Sequence, residues 1–412
     1  MKVLHVTPHL GGGVGKAHAA ISAVLPDVVE QTFVLLEAPR DRRFIDKIEA
    51  SGARVIIAES LDHVASLARE ADIVQFEFWN HPRLFECLAR TEFPPIRSVF
   101  WSHISGLSRP LIQPSLIEEA SRFVFTTEAS LSAASVAAFR ERAVEKIKVI
   151  NSGFGFANGS PRTGRGRKPG VAYLGTVDFA KMHPGFFDAI DALIGSEVLV
   201  SVWGDFDPAG EVAARAKAMR HPQRVNFMGQ ASDSSAALAN ADIFFYPLQR
   251  DHYGTAENAL VEAMSLGLTP VVLNNPPEMA IVRDSETGFV AKSIKEIGSL
   301  LEMLLLLPDV RERISRNAIR DVTENRSPVQ SAQDFMILWL GLLSEPARLC
   351  DLRRAIGGTP AEWYLSTQRI AGAAWTPARM EGASRPSKGT LAHFETAFSG
   401  DESLSRLRKF GT

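Results

Sequence analysis

The stretch Tyr253-Gly-Thr-Ala-Glu-Asn-Ala-Leu-Val-Glu-Ala-Met-Ser-Leu-Gly267, followed at once by Leu268-Thr-Pro-Val-Val-Leu273, restricts the fold more than any other part of the chain. Small and polar residues open an amphipathic helix, Gly267 closes it, and an apolar β-branched run resumes. That is the pattern of a helix feeding a buried parallel strand. Two carboxylates, Glu257 and Glu262, lie five residues apart near the helix start. They sit beside backbone N–H groups that have no partner inside the helix and can bind an anion. A ligand with a phosphate for the helix end and hydroxyls for a carboxylate fits both features, and a sugar nucleotide is such a ligand.

The same grammar repeats along the chain. Short apolar runs at 3–7, 32–36, 54–58, 73–76, 97–101, 123–126 and 146–150 alternate with amphipathic segments, which predicts a doubly wound α/β domain with a buried parallel sheet over residues 1–155. Residues 156–170 include Ser160-Pro-Arg-Thr-Gly-Arg-Gly-Arg-Lys-Pro-Gly170, rich in Gly, Pro and positive charge, and read as a linker. Strand patterns resume at 171–174, 198–203, 224–227, 242–246 and 270–273, giving a second α/β domain over 171–325. Two such halves predict a ligand cleft between them, outside the carboxyl ends of the strands. Residues 294–344 read as wholly helical, and 326–412 as a helix and an irregular tail. The tail aromatics Trp363, Tyr364, Trp375, Phe394 and Phe398 predict that it packs on something, the first domain being the expected place.

With 412 residues, two domains are expected rather than one core. A net charge of −2 gives no electrostatic reason to expect nucleic acid. Cys87 and Cys350 are the only cysteines and show no metal-ligand spacing, which points to a reducing cytoplasm. The longest apolar run, 335–343, is well short of the roughly 20 residues of a membrane span, so membrane contact is at most peripheral, at the inner face. The basic linker and Arg-containing tail suit an anionic surface, although solvated charge is the commoner explanation.

Laid out this way, the second half resembles the family-4 retaining glycosyltransferases of the GT-B fold. The residues that carry the resemblance are Tyr173-Leu-Gly175 with Lys181 six residues on, Val202-Trp-Gly204, Val225-Asn-Phe-Met-Gly229, Leu238-Ala-Asn-Ala-Asp-Ile-Phe-Phe-Tyr-Pro247, and Asn258 with Glu262-Ala-Met and Gly267. The first half is similar more loosely, through Gly11-Gly-Gly-Val-Gly15, Ala71-Asp-Ile-Val74 and Val99-Phe-Trp-Ser-His103. Residues 1 to about 345 are covered; the tail is not.

The resemblance implies that Glu262 accepts hydrogen bonds from the donor ribose, a task suited to a bidentate carboxylate. The family's Glu-x7-Glu places an acid where this chain has Gly254. Glu257, about one helical turn on, either points back to that place or only balances the helix N-terminus. Lys181 is implied to neutralise the diphosphate leaving group. The family's second cation, an Arg, is Thr176 here, and a protonated His183 would supply part of the missing charge. Gly254, Thr255, Ala256, Asn258, Ala259, Gly204, Met228 and His183 complete the expected donor site. His103 corresponds to a family His that faces the reacting sugar, and Gly12, Gly13, His9, Asn80 and His81 are acceptor-side candidates. Lys181, His103 and Glu257 are thus the expected catalytic set.

Blander readings stand beside these: a solvated glutamate for Glu262, a loop lysine for Lys181, a structural strand-end histidine for His103. Glu77 and Glu128 have the chemistry of acids or bases, but nothing in the sequence promotes either. Two nucleotide motifs fail. The residue after Lys16 is Ala17 rather than Ser or Thr, and Lys16 stands where a dinucleotide fingerprint needs its third Gly. A phosphate-loop ATPase would need magnesium-dependent turnover lost on Lys16→Ala. No metal-ligand spacing is present, and no cofactor is expected beyond the nucleoside-diphosphate sugar as co-substrate. The expected activity is metal-independent transfer of a sugar to a hydroxyl of a glycan or lipid-linked acceptor, with retention. The alternative is a non-catalytic GT-B scaffold or glycan-binding protein.

Overall fold

The structure is a computed structural model that describes residues 1–137, 139, 145–153, 159–160, 168–194, 197–255, 257–369 and 389–410, except the side chains of 257 and 408–410. It divides into two compact units, Met1–Gly155 with Pro328–Thr412, and Phe156–Ser327. Most of the basic 156–170 segment, and Trp375 in the tail, lie outside the described residues.

The first unit is built on seven strands: β1 (Lys2–Thr7), β2 (Glu30–Leu35), β3 (Arg54–Ile57), β4 (Ile73–Phe78), β5 (Ser98–Ser102), β6 (Arg122–Phe125) and β7 (Ile147–Val149). They are parallel throughout, in the order β3-β2-β1-β4-β5-β6-β7. The order reverses direction between β1 and β4, so the loops leaving those strands part and open a crevice at the carboxyl edge. One face of the sheet is closed by the helices Gly12–Ser22 and Pro328–Leu343. Val3, Ile73, Val99, Trp101 and Val124 meet Phe335, Leu338, Trp339 and Leu342 there in one buried cluster. On the strands themselves Phe76, Phe100 and Phe123 form a stacked row.

The second unit has six strands: β8 (Val171–Leu174), β9 (Val200–Trp203), β10 (Val225–Gly229), β11 (Ile243–Tyr246), β12 (Thr269–Leu273) and β13 (Phe289–Ala291). Again all pair in parallel, in the order β10-β9-β8-β11-β12-β13, with the reversal between β8 and β11. The helix Glu257–Ser265 feeds β12 through Gly267, as the opening stretch predicts. Two doubly wound parallel units, with a helical extension after them, are the architecture read from the sequence.

Two differences have physical causes. β13 is three residues long, too short to show a period. The span 294–344 is three helices, Ile294–Leu306, Pro308–Asn325 and Pro328–Leu343, because a proline opens each of the later two.

The tail is ordered by aromatic contacts on the first unit. Helices Leu352–Ile356 and Pro360–Ser366 lie on the helix Pro82–Arg90, where the Arg90 guanidinium stands 5.1 Å over the Trp363 ring. A capping box, Thr359 with Glu362, starts the second of them. Further on, Phe394 packs on Phe85, and Arg83 stands 5.2 Å over Phe398 while donating to the Ala397 carbonyl. No helix among the described residues is long and apolar enough to cross a membrane.

Candidate functional site

In the second unit the carboxyl edge is shaped by backbone before any side chain is considered. Gly175 and Gly204 directly follow β8 and β9, and Gly229 ends β10; they are joined by amides, Gly175 N–H to the Trp203 carbonyl and Gly204 N–H to the Gly229 carbonyl. Gly204 has φ +152, and a Cβ there would stand 2.0 Å from the Gly175 carbonyl oxygen. Only glycine allows the two turns to lie that close. The donor-side candidate Gly204 therefore has a structural reason to be glycine. Met228 lies on β10, the edge strand, and is exposed.

Lys181 sits at the β8/β11 reversal. Its loop is fastened across the gap, with His183 N–H donating to the Pro247 carbonyl and Gln249 N–H to that of Lys181. Tyr173 holds the start of the loop through a 2.7 Å bond from its phenol to the Thr176 carbonyl. The Lys181 ammonium stands 5.7 Å over the Tyr246 ring. Burial alone would lower its pKa, but Tyr246, Tyr253 and Glu278 outweigh burial and hold it above the ordinary lysine value, so the charge persists at neutral pH. Behind this group Glu278 is wholly buried, accepting from Asn275 Nδ2 at 3.0 Å and paired with His252 Nε2 at 3.2 Å. Sequence reasoning missed Tyr246, Tyr253, His252, Asn275 and Glu278, whose meeting depends on the strand order.

His183 is not placed to act as a cation. Its Nδ1 accepts the Gly185 N–H at 2.9 Å, and burial lowers its pKa. Both favour the neutral ring at neutral pH, so it does not replace the arginine that Thr176 displaces. Glu262 lies on the inner side of its helix, 1% exposed. Gly254 is buried, Thr255, Asn258 and Ala259 are partly exposed at the helix mouth, while Ala256 and the Glu257 side chain lie outside the description. The helix starts at Glu257.

In the first unit the β1/β4 reversal is filled by a buried polar network. Glu77, at the end of β4 and 0% exposed, receives His5 Nδ1 at 3.0 Å and Gln75 Nε2 at 3.0 Å on Oε1. Its Oε2 meets His18 Nε2 at 2.9 Å and His103 Nε2 at 3.0 Å. Burial would raise the carboxyl's pKa; His18 and the bonds from His103 and His5 hold it well below the ordinary range. Burial lowers the His5 pKa to about 4. The sequence carried one signal for this group: Gln75 and Glu77 are two apart, hence on one face of an otherwise apolar strand. Two polar side chains buried together need partners.

The acceptor-side candidates divide. The helix Gly12–Ser22 begins at Gly12 and Gly13, but Gly15 is constrained by packing, since a Cβ there would stand 1.8 Å from the Leu10 carbonyl oxygen. His9 accepts the Gly11 N–H on Nδ1 and lies 4.0 Å from Glu37. Asn80 and His81 are buried, and the chain's own tail covers them. His393 stacks edge-on against His81 with ring centroids 4.8 Å apart, and a Cβ on Gly389 would stand 1.3 Å from Asn80 Nδ2. His81 also caps the helix Pro82–Arg90, its Nδ1 accepting Arg83 N–H. These two residues are docking points for the tail in this structure and do not face solvent as acceptor-side residues would. Glu128 opens a short turn after β6.

Among the described residues, two groups bring metal-ligating atoms within 4.8 Å of one another, His5-His18-Glu77 and His9-Glu37-His81. In the second, Nδ1 of both rings accepts a backbone N–H, so a neutral ring carries its proton on Nε2, the atom facing Glu37. In the first, His5 Nδ1 is hydrogen-bonded to Glu77 at 3.0 Å, and His18 Nε2 stands 2.9 Å from Glu77 Oε2 without completing a hydrogen bond.

Residues 161–321, nearly all of the second unit, match the family Glycosyl transferases group 1. A curated relative, the GDP-Man:Man(3)GlcNAc(2)-PP-Dol alpha-1,2-mannosyltransferase of Dictyostelium discoideum, is 26% identical over 147 residues, 35% of this chain and 28% of its own length. Among solved structures, Anabaena HepE in complex with UDP and glucose superposes with a TM-score of 0.64 at 18% identity, covering 83% of this chain and 100% of that one. Sucrose-phosphate synthase from Thermosynechococcus elongatus gives 0.59 at 14%, covering 84% and 100%. At those identities the likeness is one of fold. The chain has the fold of the GT-B glycosyltransferases, and its second unit is a glycosyl transferases group 1 domain.

Proposed function

We propose that this protein is a retaining, metal-independent glycosyltransferase that moves a hexose-type sugar from a nucleoside diphosphate to a hydroxyl of a glycan or lipid-linked acceptor. One observation carries the reading: a half-buried lysine, Lys181, held at the strand reversal of a group 1 domain and kept charged by its surroundings. As the bond from the sugar C1 to the diphosphate oxygen breaks, the electron pair leaves with the diphosphate. The ammonium and the N–H groups opening the helix Glu257–Ser265 meet that growing charge. Glu262 fixes the pentose. The acceptor oxygen then bonds C1 on the face the diphosphate has left, and its proton passes away with that charge. The protein acts on soluble or membrane-surface acceptors from the cytoplasmic side.

UDP and glucose in HepE, and the GDP-mannose named in the Dictyostelium relative, support a nucleoside-diphosphate hexose as donor and leave the base to experiment. The test is a thermal-shift titration with a panel of nucleoside diphosphates, followed by donor hydrolysis and by NMR of the product's anomeric configuration. Saturable stabilisation by one base, and release of its sugar with retention, are expected. A second reading, a non-catalytic scaffold, is favoured by Gly254 in place of an acid and by the tail over Asn80 and His81. It predicts no stabilisation by any nucleotide.

A further inference from the structure

We propose that Glu77 is a positioning residue for His103: its buried carboxylate takes the hydrogen of that ring's Nε2 and so decides which nitrogen carries a proton and which accepts. The inference rests on the reading of His103 as a residue facing the reacting sugar.

The hydrogen-bond bookkeeping around Glu77 has one solution. An ionised carboxylate only accepts, so each of its three hydrogen-bonded neighbours must donate. Trp339 Nε1 only donates, and it lies 3.0 Å from Gln75 Oε1, which turns the Gln75 amide nitrogen toward Glu77 Oε1. Gln31 Nε2 lies 3.1 Å from His5 Nε2, so that nitrogen accepts and His5 Nδ1 bears the hydrogen given to Glu77. His103 must then donate from Nε2 to Oε2, while His18 Nε2 stands 2.9 Å from the same oxygen without completing a hydrogen bond. Glu77 is a titratable group bonded to His103, and His5 and His18 lie on the far side of that carboxylate. Trp101 and Trp79 lie beside the ring, with centroids 4.6 and 6.2 Å from that of His103. A neutral His103 protonated on Nε2 presents Nδ1 as an acceptor, the role a sugar hydroxyl needs from it.

The three rings do not gather on a common point, as ligands of one ion would. His103 falls outside the set whose atoms lie within 4.8 Å of one another, and each ring instead faces a carboxylate oxygen. The arrangement orients donors around an acid.

Substitution makes a specific prediction. In Glu77→Gln the Gln75 amide, fixed by Trp339, still donates, so the new carbonyl must take the Oε1 position and the new NH2 the Oε2 position. That NH2 then faces His103, which must move its hydrogen to Nδ1. Two-dimensional 15N–1H spectra of the histidine side chains, assigned with His103→Gln, read this directly. In the unsubstituted protein His103 is expected as the Nε2–H tautomer and His5 as Nδ1–H. In Glu77→Gln the His103 pattern inverts and kcat for sugar transfer falls at least tenfold with donor KM unchanged, while Glu77→Asp keeps the Nε2–H pattern. An Nδ1–H tautomer of His103 in the unsubstituted protein overturns the proposal, and that result needs no variant to fold. So does an unchanged tautomer in Glu77→Gln, or stoichiometric zinc uptake that displaces the histidine N–H signals. The spectra need no sugar nucleotide, so failure of the transfer reaction and failure of this inference are separable.

Discussion

The two units solve the same backbone problem and fill the solution with opposite charge. Each is a parallel sheet whose order reverses once, between β1 and β4 in the first and between β8 and β11 in the second. Each places a charged side chain beside that reversal. In the first it is the buried Glu77 carboxylate, hydrogen-bonded by three donors; in the second it is the half-buried Lys181 ammonium, over a tyrosine ring. Topology decides where a polar group can be set, and residue type decides what it does there. An acid surrounded by donors is finished as a structure and orients its neighbours. A cation held against a tyrosine keeps charge to offer an anion.

The largest expected effect sharpens that contrast. Glu77→Ala leaves three donors facing a cavity, and a loss of about 3–5 kcal/mol of stability is expected from breaking a buried ionic network. Chemical denaturation measures it. Lys181→Ala is expected to behave in the opposite way, with a small change in stability and a loss of about 10²–10³-fold in kcat, the usual effect of removing one stabilising group from a developing anion. If Lys181→Ala unfolds the protein while Glu77→Ala leaves it stable, the two roles have been read the wrong way round.

Acid separates the units by a smaller margin. His5 has its pKa lowered from 6.5 to about 4, so the unfolded chain takes up a proton before the folded one does. Stability therefore falls as pH drops from the ordinary value to the lowered one, by on the order of 3 kcal/mol. Glu77, whose pKa is depressed, adds a further loss below the ordinary carboxylate range, as pH falls toward its folded value. In the second unit burial raises the Asp178 pKa, which makes protonation favourable to the folded state as pH falls. Lys181 loses its contribution only as pH rises through its raised value. Hydrogen exchange between pH 7.5 and 4.5 should show β1 and β4 losing protection while β8 and β11 keep theirs. The smallest effect lies in the tail: Arg83→Ala removes a bond to the Ala397 carbonyl and a contact with Phe398, and should cost about 1 kcal/mol.

How far the sequence reached follows from the range of each interaction. Twelve strands begin within two residues of the expected places, because a buried parallel strand announces itself as a local apolar run. The short β13 has no room for such a run, and the proline breaks at Pro308 and Pro328 were visible but read through. Lys181 was legible from its spacing after Gly175, whereas its partners come from the ends of other strands. The His5-His18-Glu77-His103 network joins residues up to 98 positions apart, and only the same-face pair Gln75 and Glu77 hinted at it. The covering of Asn80 and His81 by residues near 389–397 lies still further along the chain, and no local pattern encodes it.

The central claim is that Lys181 grips the diphosphate of a sugar nucleotide. The direct measurement is calorimetric titration of the intact protein and of Lys181→Ala with UDP, GDP and the corresponding nucleoside lacking phosphates. The account predicts saturable binding of one diphosphate, weakened at least tenfold by the substitution, with nucleoside affinity unchanged. Equal diphosphate affinity in the two proteins, or none in either, contradicts it.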